Sequence, residues 1–173
     1  HCAGALGLEV LAPAARGGAH AGSLHPLCAV PSPLASLEGA SAAIAGDATA
    51  QRLLTRLARD AGLKPFRLAA ADRARYHAAA ALASNGLVAI ADEACALLQE
   101  CGLGRERALE ALLPLMRSAL RGLEAHGLPG ALTGPIARGD AAVVQGHLEA
   151  LGLTRPESAA VYIALSRILV RVA

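Results

Sequence analysis

The alternation of apolar and polar positions divides the chain near residue 70. Before that point, short apolar runs alternate with turn signals. Residues 1–4 read as a strand end entering a glycine turn, and residues 5–15 as a short helix with Pro13 near its end. Gly17-Gly18 breaks the chain. Residues 20–25 form an extended run stopped by Pro26, and residues 27–39, with Pro31 and Pro33, read as loop. A short apolar strand follows at 41–45. Asp47 caps a helix over 48–61, Gly62 closes it, and 64–68 is a further strand. Strand, helix and strand in succession predict an α/β unit.

Beyond residue 70 the strand signals stop. Residues 72–100 are small and apolar on nearly every face after a charged start. A helix apolar all round is a buried one, so this segment is expected at the centre of a helical domain. A helix over 105–125 contains Pro114, where a kink is expected. Residues 127–139 are rich in Gly and Pro and read as a loop. Asp140 caps a helix over 141–151. Thr154 and Glu157 have the spacing of a capping box that opens the last helix, to Val172. The expected organisation is an α/β part over 1–70 and an all-helical part over 71–173, α+β overall.

Composition sharpens this picture. The chain has 173 residues, enough to bury a core, with 54% hydrophobic and only 2% aromatic residues. The core must then be built from Ala, Leu, Val and Ile. A net charge of +2 without a dense basic block points away from nucleic acid. Arg52, Arg56 and Arg59 share a helix face and read as solvated. Cys2, Cys28, Cys95 and Cys101 form no Cys-x-x-Cys pair, so no metal site is expected and idle thiols in a reducing compartment are. No signal peptide is apparent, and the uncharged run 76–91 is shorter than the roughly 20 residues of a membrane span. These features predict a soluble, cytoplasmic protein. The apolar last helix, ending Ile168-Leu169-Val170, predicts a homodimer.

Candidate chemistry gathers on the central helix. His77 and Asn85 are about 12 Å apart along the axis and about 80° apart in rotation, neighbouring edges of one broad face. His77 can exchange a proton near neutral pH, and Asn85 can orient a carbonyl or hydroxyl. The alternative is that both are core residues satisfied by neighbouring groups. In the Gly/Pro-rich segment, Thr133, Arg138 and Asp140 form a second candidate. Arg138 can clamp a carboxylate or phosphate, unless Asp140 is simply a cap and Arg138 its ion-pair partner. His25-Pro26 follows a strand, where ligands of α/β sheets bind, although a structural histidine fits there too. No Gly-x-Gly-x-x-Gly fingerprint is present.

Three stretches carry a resemblance: His1-Cys2-Ala3-Gly4-Ala5 with Ser23-Leu24-His25-Pro26-Leu27, Tyr76-His77-Ala78-Ala79-Ala80 with Ser84-Asn85, and Leu132-Thr133-Gly134-Pro135-Ile136-Ala137-Arg138-Gly139-Asp140. Together they resemble a bacterial family of uncharacterised oxidoreductases with a Rossmann-like domain followed by a helical domain of unknown function. That family is similar to ketopantoate reductase, pyrroline-5-carboxylate reductase and the β-hydroxyacid dehydrogenases. The resemblance implies the end of a Rossmann-like domain, then a helical domain of the 6-phosphogluconate dehydrogenase C-terminal type, with the cofactor-binding part before His1. It implies NADP, NAD or deazaflavin as cofactor, with Gly4 and Pro26 near it, and a small carbonyl or hydroxyl compound as substrate. His77 and Asn85 would be catalytic, and His25, Thr133, Arg138 and Asp140 would bind substrate. Relatives carry a Lys at the start of the central helix and an Asn one turn on. Here His77 stands where the Lys would be, Ala81 one turn on, and Asn85 two turns on. The other reading is a ligand-binding or dimerisation module that keeps the fold without the chemistry.

Overall fold

A computed structural model of the chain describes residues 1–30, 32 and 35–173. Positions 31, 33 and 34 of the expected loop lie outside the described residues. The chain forms two compact units, His1–Val88 and Ala89–Ala173.

In the first unit, a 3-10 turn at Leu8–Leu11 leads into helix α1, Ala12–Arg16. Strands β1 (Gly22–Leu27), β2 (Ser41–Gly46) and β3 (Lys64–Arg67) form a sheet in the order β1-β2-β3. β1 runs antiparallel to β2 and β3 parallel to it. Helix α2, Ala48–Asp60, connects the parallel pair, as a parallel crossover requires. Asp47 caps it as expected, accepting from the amides of Thr49 and Ala50. Two expectations fail here. Residues 1–4 form no strand, and Pro26 does not stop β1 but lies inside it, opposite Ala42. Proline is tolerated there because β1 is an edge strand.

The two faces of the sheet do different work. Ala42 and Ile44 of β2 pack with Ala58 and Leu63, and Leu24 and Leu54 close over them. This is the apolar core, on the α2 side. Ser23 and His25 of β1 alternate with Leu24 and so point to the opposite face, as do their cross-strand partners Ala45 and Ala43. Phe66 of β3 pairs with Ala43. His25, Ala43 and Phe66 therefore form one row across the sheet, with a small residue in the middle.

The expected helix over 72–100 is two helices. Helix α3 spans Arg73–Ala83 and helix α4 spans Asn85–Glu100, with a break at Ser84, whose ψ is −70°. Nor is this segment buried: Arg73 is the buried residue of α3 and Cys95 that of α4. Leu82 is 76% exposed and Val88 69%. An all-round apolar pattern signals that a helix is to be covered, but does not say by what. By length and composition, the helical run Ala70–Glu100 also suffices to cross a membrane, which a count limited to 76–91 underestimates.

In the second unit, helix α5 spans Arg105–Ala131. Its backbone breaks at Gly127, with φ 69°, and not at Pro114. A left-handed φ suits glycine, whereas a proline can be absorbed by a small adjustment of one turn. The segment expected as loop thus contains the end of α5 and the short helix α6, Gly134–Ala137. Helix α7 (Ala141–Thr154) is capped by Asp140, which accepts from the Val143 amide, and α8 spans Pro156–Val172. The capping box does not form. Thr154 is the last residue of α7, and its hydroxyl donates to Glu100. Arg155 instead ties the helices together: its Nε donates to Ser158 Oγ at 3.0 Å, and its guanidinium pairs with Glu100 and Glu93. Buried Ser158 donates to Glu93 in turn.

Candidate functional site

The row His25–Ala43–Phe66 leaves a slot over Ala43, and Tyr76 of α3 fills it. Its ring packs edge-on against His25 at 5.5 Å between centroids and against Phe66 at 5.9 Å. Tyr76 Oη lies 2.6 Å from His25 Nδ1. One helical turn earlier, on the same face, Arg73 reaches the neighbouring position of β1. Its Nη2 donates to Ser23 Oγ at 2.7 Å, and its Nη1 donates to the carbonyls of Ala3 and Gly4. The spacing of Arg73 and Tyr76 along α3 thus matches Ser23 and His25 along β1.

Gly4 is buried where this cluster closes. A β-carbon there would lie 2.7 Å from both His25 Nε2 and His77 Cδ2. Glycine is what allows the first residues of the chain to pass so close to two imidazoles. The His25 and His77 rings stand 6.3 Å apart, and His77 is exposed.

These groups line a cleft of about 830 Å³. His25, Cys28, Tyr76, His77, Ser84 and Asn85 supply its polar groups; alanines of α3, with Leu27, Ala29 and Val30, supply the rest. No carboxylate, lysine or arginine is among the lining residues. Burial lowers the pKa of His25 below its ordinary 6.5, and the nearby His77 and Arg73 lower it further. Burial raises Tyr76 above its ordinary 10; Arg73 opposes that shift and Cys28 adds to it. Imidazole and phenol are therefore both neutral at pH 7.

Of the residues singled out in the sequence, His25, His77 and Asn85 line this one cleft. Gly4 backs the two histidines, and Pro26 is part of β1. Thr133, Arg138 and Asp140 belong to the second unit, at the N-cap of α6, the C-cap of α6 and the N-cap of α7. Tyr76 and Arg73 were not singled out as site residues. Their signal was present as two polar residues three apart at the head of an apolar helix.

A dinucleotide would need a seat for its phosphates. The turn from β2 into α2 has the required strand–turn–helix order, but the Asp47 carboxylate already occupies the helix N-terminus. It accepts from the Thr49 and Ala50 amides at 2.8 and 2.9 Å, and His20 Nδ1 is 2.9 Å from its other oxygen. A carboxylate in that position repels a phosphate. This turn does not fit a pyrophosphate.

The model of a domain of unknown function, DUF2520, matches residues 40–168. The chain belongs to this family. Its structure is similar to that of a protein from Thermotoga maritima, with a TM-score of 0.84 and 24% identity, over 100% of this chain and 67% of that one. It is also similar to a putative NADP oxidoreductase from Bacteroides fragilis, with a TM-score of 0.78 and 22% identity, over 99% of this chain and 64% of that one. The DUF2520 chain thus spans about two thirds of the length of these neighbours. No curated protein matches its sequence. The fold these neighbours share with the chain is mostly helical with one small sheet.

Proposed function

We propose that this DUF2520 chain is the substrate-binding part of a nicotinamide-dependent oxidoreductase that acts on a small carbonyl or hydroxyl compound. The observation that carries the reading is the cleft. His25, Tyr76 and His77 meet there on an otherwise apolar wall, with Asn85 farther along, in a fold shared with a putative NADP oxidoreductase. The cluster offers a proton at the oxygen whose carbon gains or loses hydride. Asn85 is suited to orient that oxygen. Arg138 is the candidate clamp for an anionic group of the substrate, and Thr133 and Asp140 are further candidate substrate contacts. NADP, NAD or deazaflavin would supply the hydride chemistry, with its phosphates held outside residues 1–173, in a Rossmann-like part of which the β1–β3 sheet is the end. The helical part would then be of the 6-phosphogluconate dehydrogenase C-terminal type.

The exposed apolar surface of α3 and α4 supports a homodimer in which a second copy covers it. A soluble, cytoplasmic protein fits better than a membrane span. Asp92 and Glu93 of α4 are engaged with Arg105 and Ser158, contacts that a lipid-embedded helix would forgo. The second reading, a dimerisation module without chemistry, draws on the same apolar surface.

The test is a calorimetric titration of the full-length protein with NADPH, NADH and a deazaflavin, followed by a screen of small aldehydes, ketones and alcohols for cofactor turnover. Binding with turnover is the expected result. Absence of binding to all three would leave the module reading.

A further inference from the structure

We propose that Tyr76 is the catalytic residue at the ligand oxygen, and that His25 is the positioning residue through which its proton is relayed. The inference deepens the function proposed above and rests on it; it moves the proton-transfer role from His77 to Tyr76.

An N–H···O bond is usually close to 2.9 Å, whereas hydroxyl donors make shorter bonds. In the proposed relay the phenol is the donor across the 2.6 Å between Tyr76 Oη and His25 Nδ1. Nδ1 is then the acceptor, and the ring carries its proton on Nε2. The phenol oxygen spends its one hydrogen on His25 and retains lone pairs. A ligand hydroxyl in the cleft can donate to them.

The step that follows is balanced within these groups. The ligand O–H breaks and its proton joins Tyr76 Oη. The former Tyr76 O–H breaks as an N–H forms on His25 Nδ1. The ligand oxygen is left anionic and His25 becomes imidazolium; no electron changes hands. Run in reverse, the same relay protonates an oxyanion.

The groups facing this pair suit a relay better than a proton store. From α3, His77 and Arg73 face His25, and both disfavour its cation. Beyond the end of β1, Cys28 lies near Tyr76. Arg73 is 6% exposed, and its bonding partners are two carbonyls and a hydroxyl. Its charge, uncompensated by any carboxylate among the described residues, favours an anion at the ligand oxygen and returns the proton readily from His25. Phe66 and Gly4 hold the two rings in register. His77 has no hydrogen-bond partner for its ring among the described residues and stands exposed at the cleft edge, beside His25.

Nitrogen-15 NMR of the histidine rings in the full-length protein, between pH 5 and 9, tests this without a cofactor. The expected result is His25 protonated on Nε2. The Tyr76→Phe variant should mix its tautomers and leave His147, which is paired with Tyr162, unchanged. Trifluoroethanol, used as a hydroxyl probe, should shift the His25 Nδ1 signal in the wild type and at least several-fold less in the variant. A proton on Nδ1 in the wild type would overturn the proposal, because Tyr76 would then accept from His25. So would a probe response at His77 alone. If the variant does not fold, the wild-type tautomer and probe response decide. Because no nicotinamide nucleotide is present, failure of the oxidoreductase reading would be seen separately, in the calorimetry.

Discussion

Gly4 and His77 are so close that a β-carbon at position 4 would lie 2.7 Å from His77 Cδ2. The same atom would meet His25 Nε2 at 2.7 Å, so neither ring can yield towards the other. Gly4→Ala is expected to displace both imidazoles and to cost about 1–3 kcal/mol, as overpacking does. Urea denaturation measures the cost, and the histidine ring signals report the displacement. An unchanged pair of ring signals would show that the first residues move instead.

Ile44 is among the largest fully buried side chains and packs between β2 and α2. Ile44→Ala should destabilise by about 2–5 kcal/mol, the transfer cost plus that of the cavity left behind. The denaturation midpoint should fall with little change in slope.

His25 makes stability depend on pH with a definite sign. Its folded-state pKa lies below the ordinary 6.5, so between the two values the unfolded chain binds more protons. Stability from this group is at its full level above 6.5 and falls as the pH drops towards the folded-state value. Below that value it stays reduced. Denaturation series between pH 8 and 5 should show this decline, and His25→Gln should flatten it. Tyr76, raised above 10, adds a loss on the alkaline side.

Ser158 is 4% exposed and bridges Arg155 and Glu93. Ser158→Ala removes the shared hydroxyl from two charged neighbours. A loss of about 1–3 kcal/mol is expected from polar groups left short of a partner, read by thermal unfolding.

Leu82 and Val88 are the test of the proposed dimer. Replacing both with Lys should convert a two-chain mass to a one-chain mass in light scattering at micromolar concentration. If the wild type already has the one-chain mass under those conditions, α3 and α4 are not covered by a second copy.

The strand–helix–strand unit was legible because its signals are local. Asp47 and Gly62 bracket α2 wherever the rest of the chain goes. The helical pattern after residue 70 was legible for the same reason, but its burial was not. Alanine methyls mark a face for contact without naming the surface it meets. Thr154 and Glu157 had the spacing of a cap, yet Glu100 captured Thr154 from a distance in sequence that no local rule covers. Pro26 read as a stop because its tolerance depends on being at a sheet edge, which is a property of the assembled sheet. Tyr76 carries no local signal of its own beyond a polar group at the head of an apolar helix. What singles it out is His25, brought against it by the sheet.

The row His25–Ala43–Phe66 with Tyr76 set over it has a kinetic consequence. His25 and Tyr76 are separated by 51 residues, and the row takes one member from each strand. No fragment of the chain shorter than that loop can make the contact, and closing it has an entropic cost that local turns avoid. The tyrosine–histidine pair therefore needs a loop closure that helix α2 and the local turns do not. It matures only in molecules whose sheet has already chosen its register, since a one-residue slip of β1 would turn His25 to the other face.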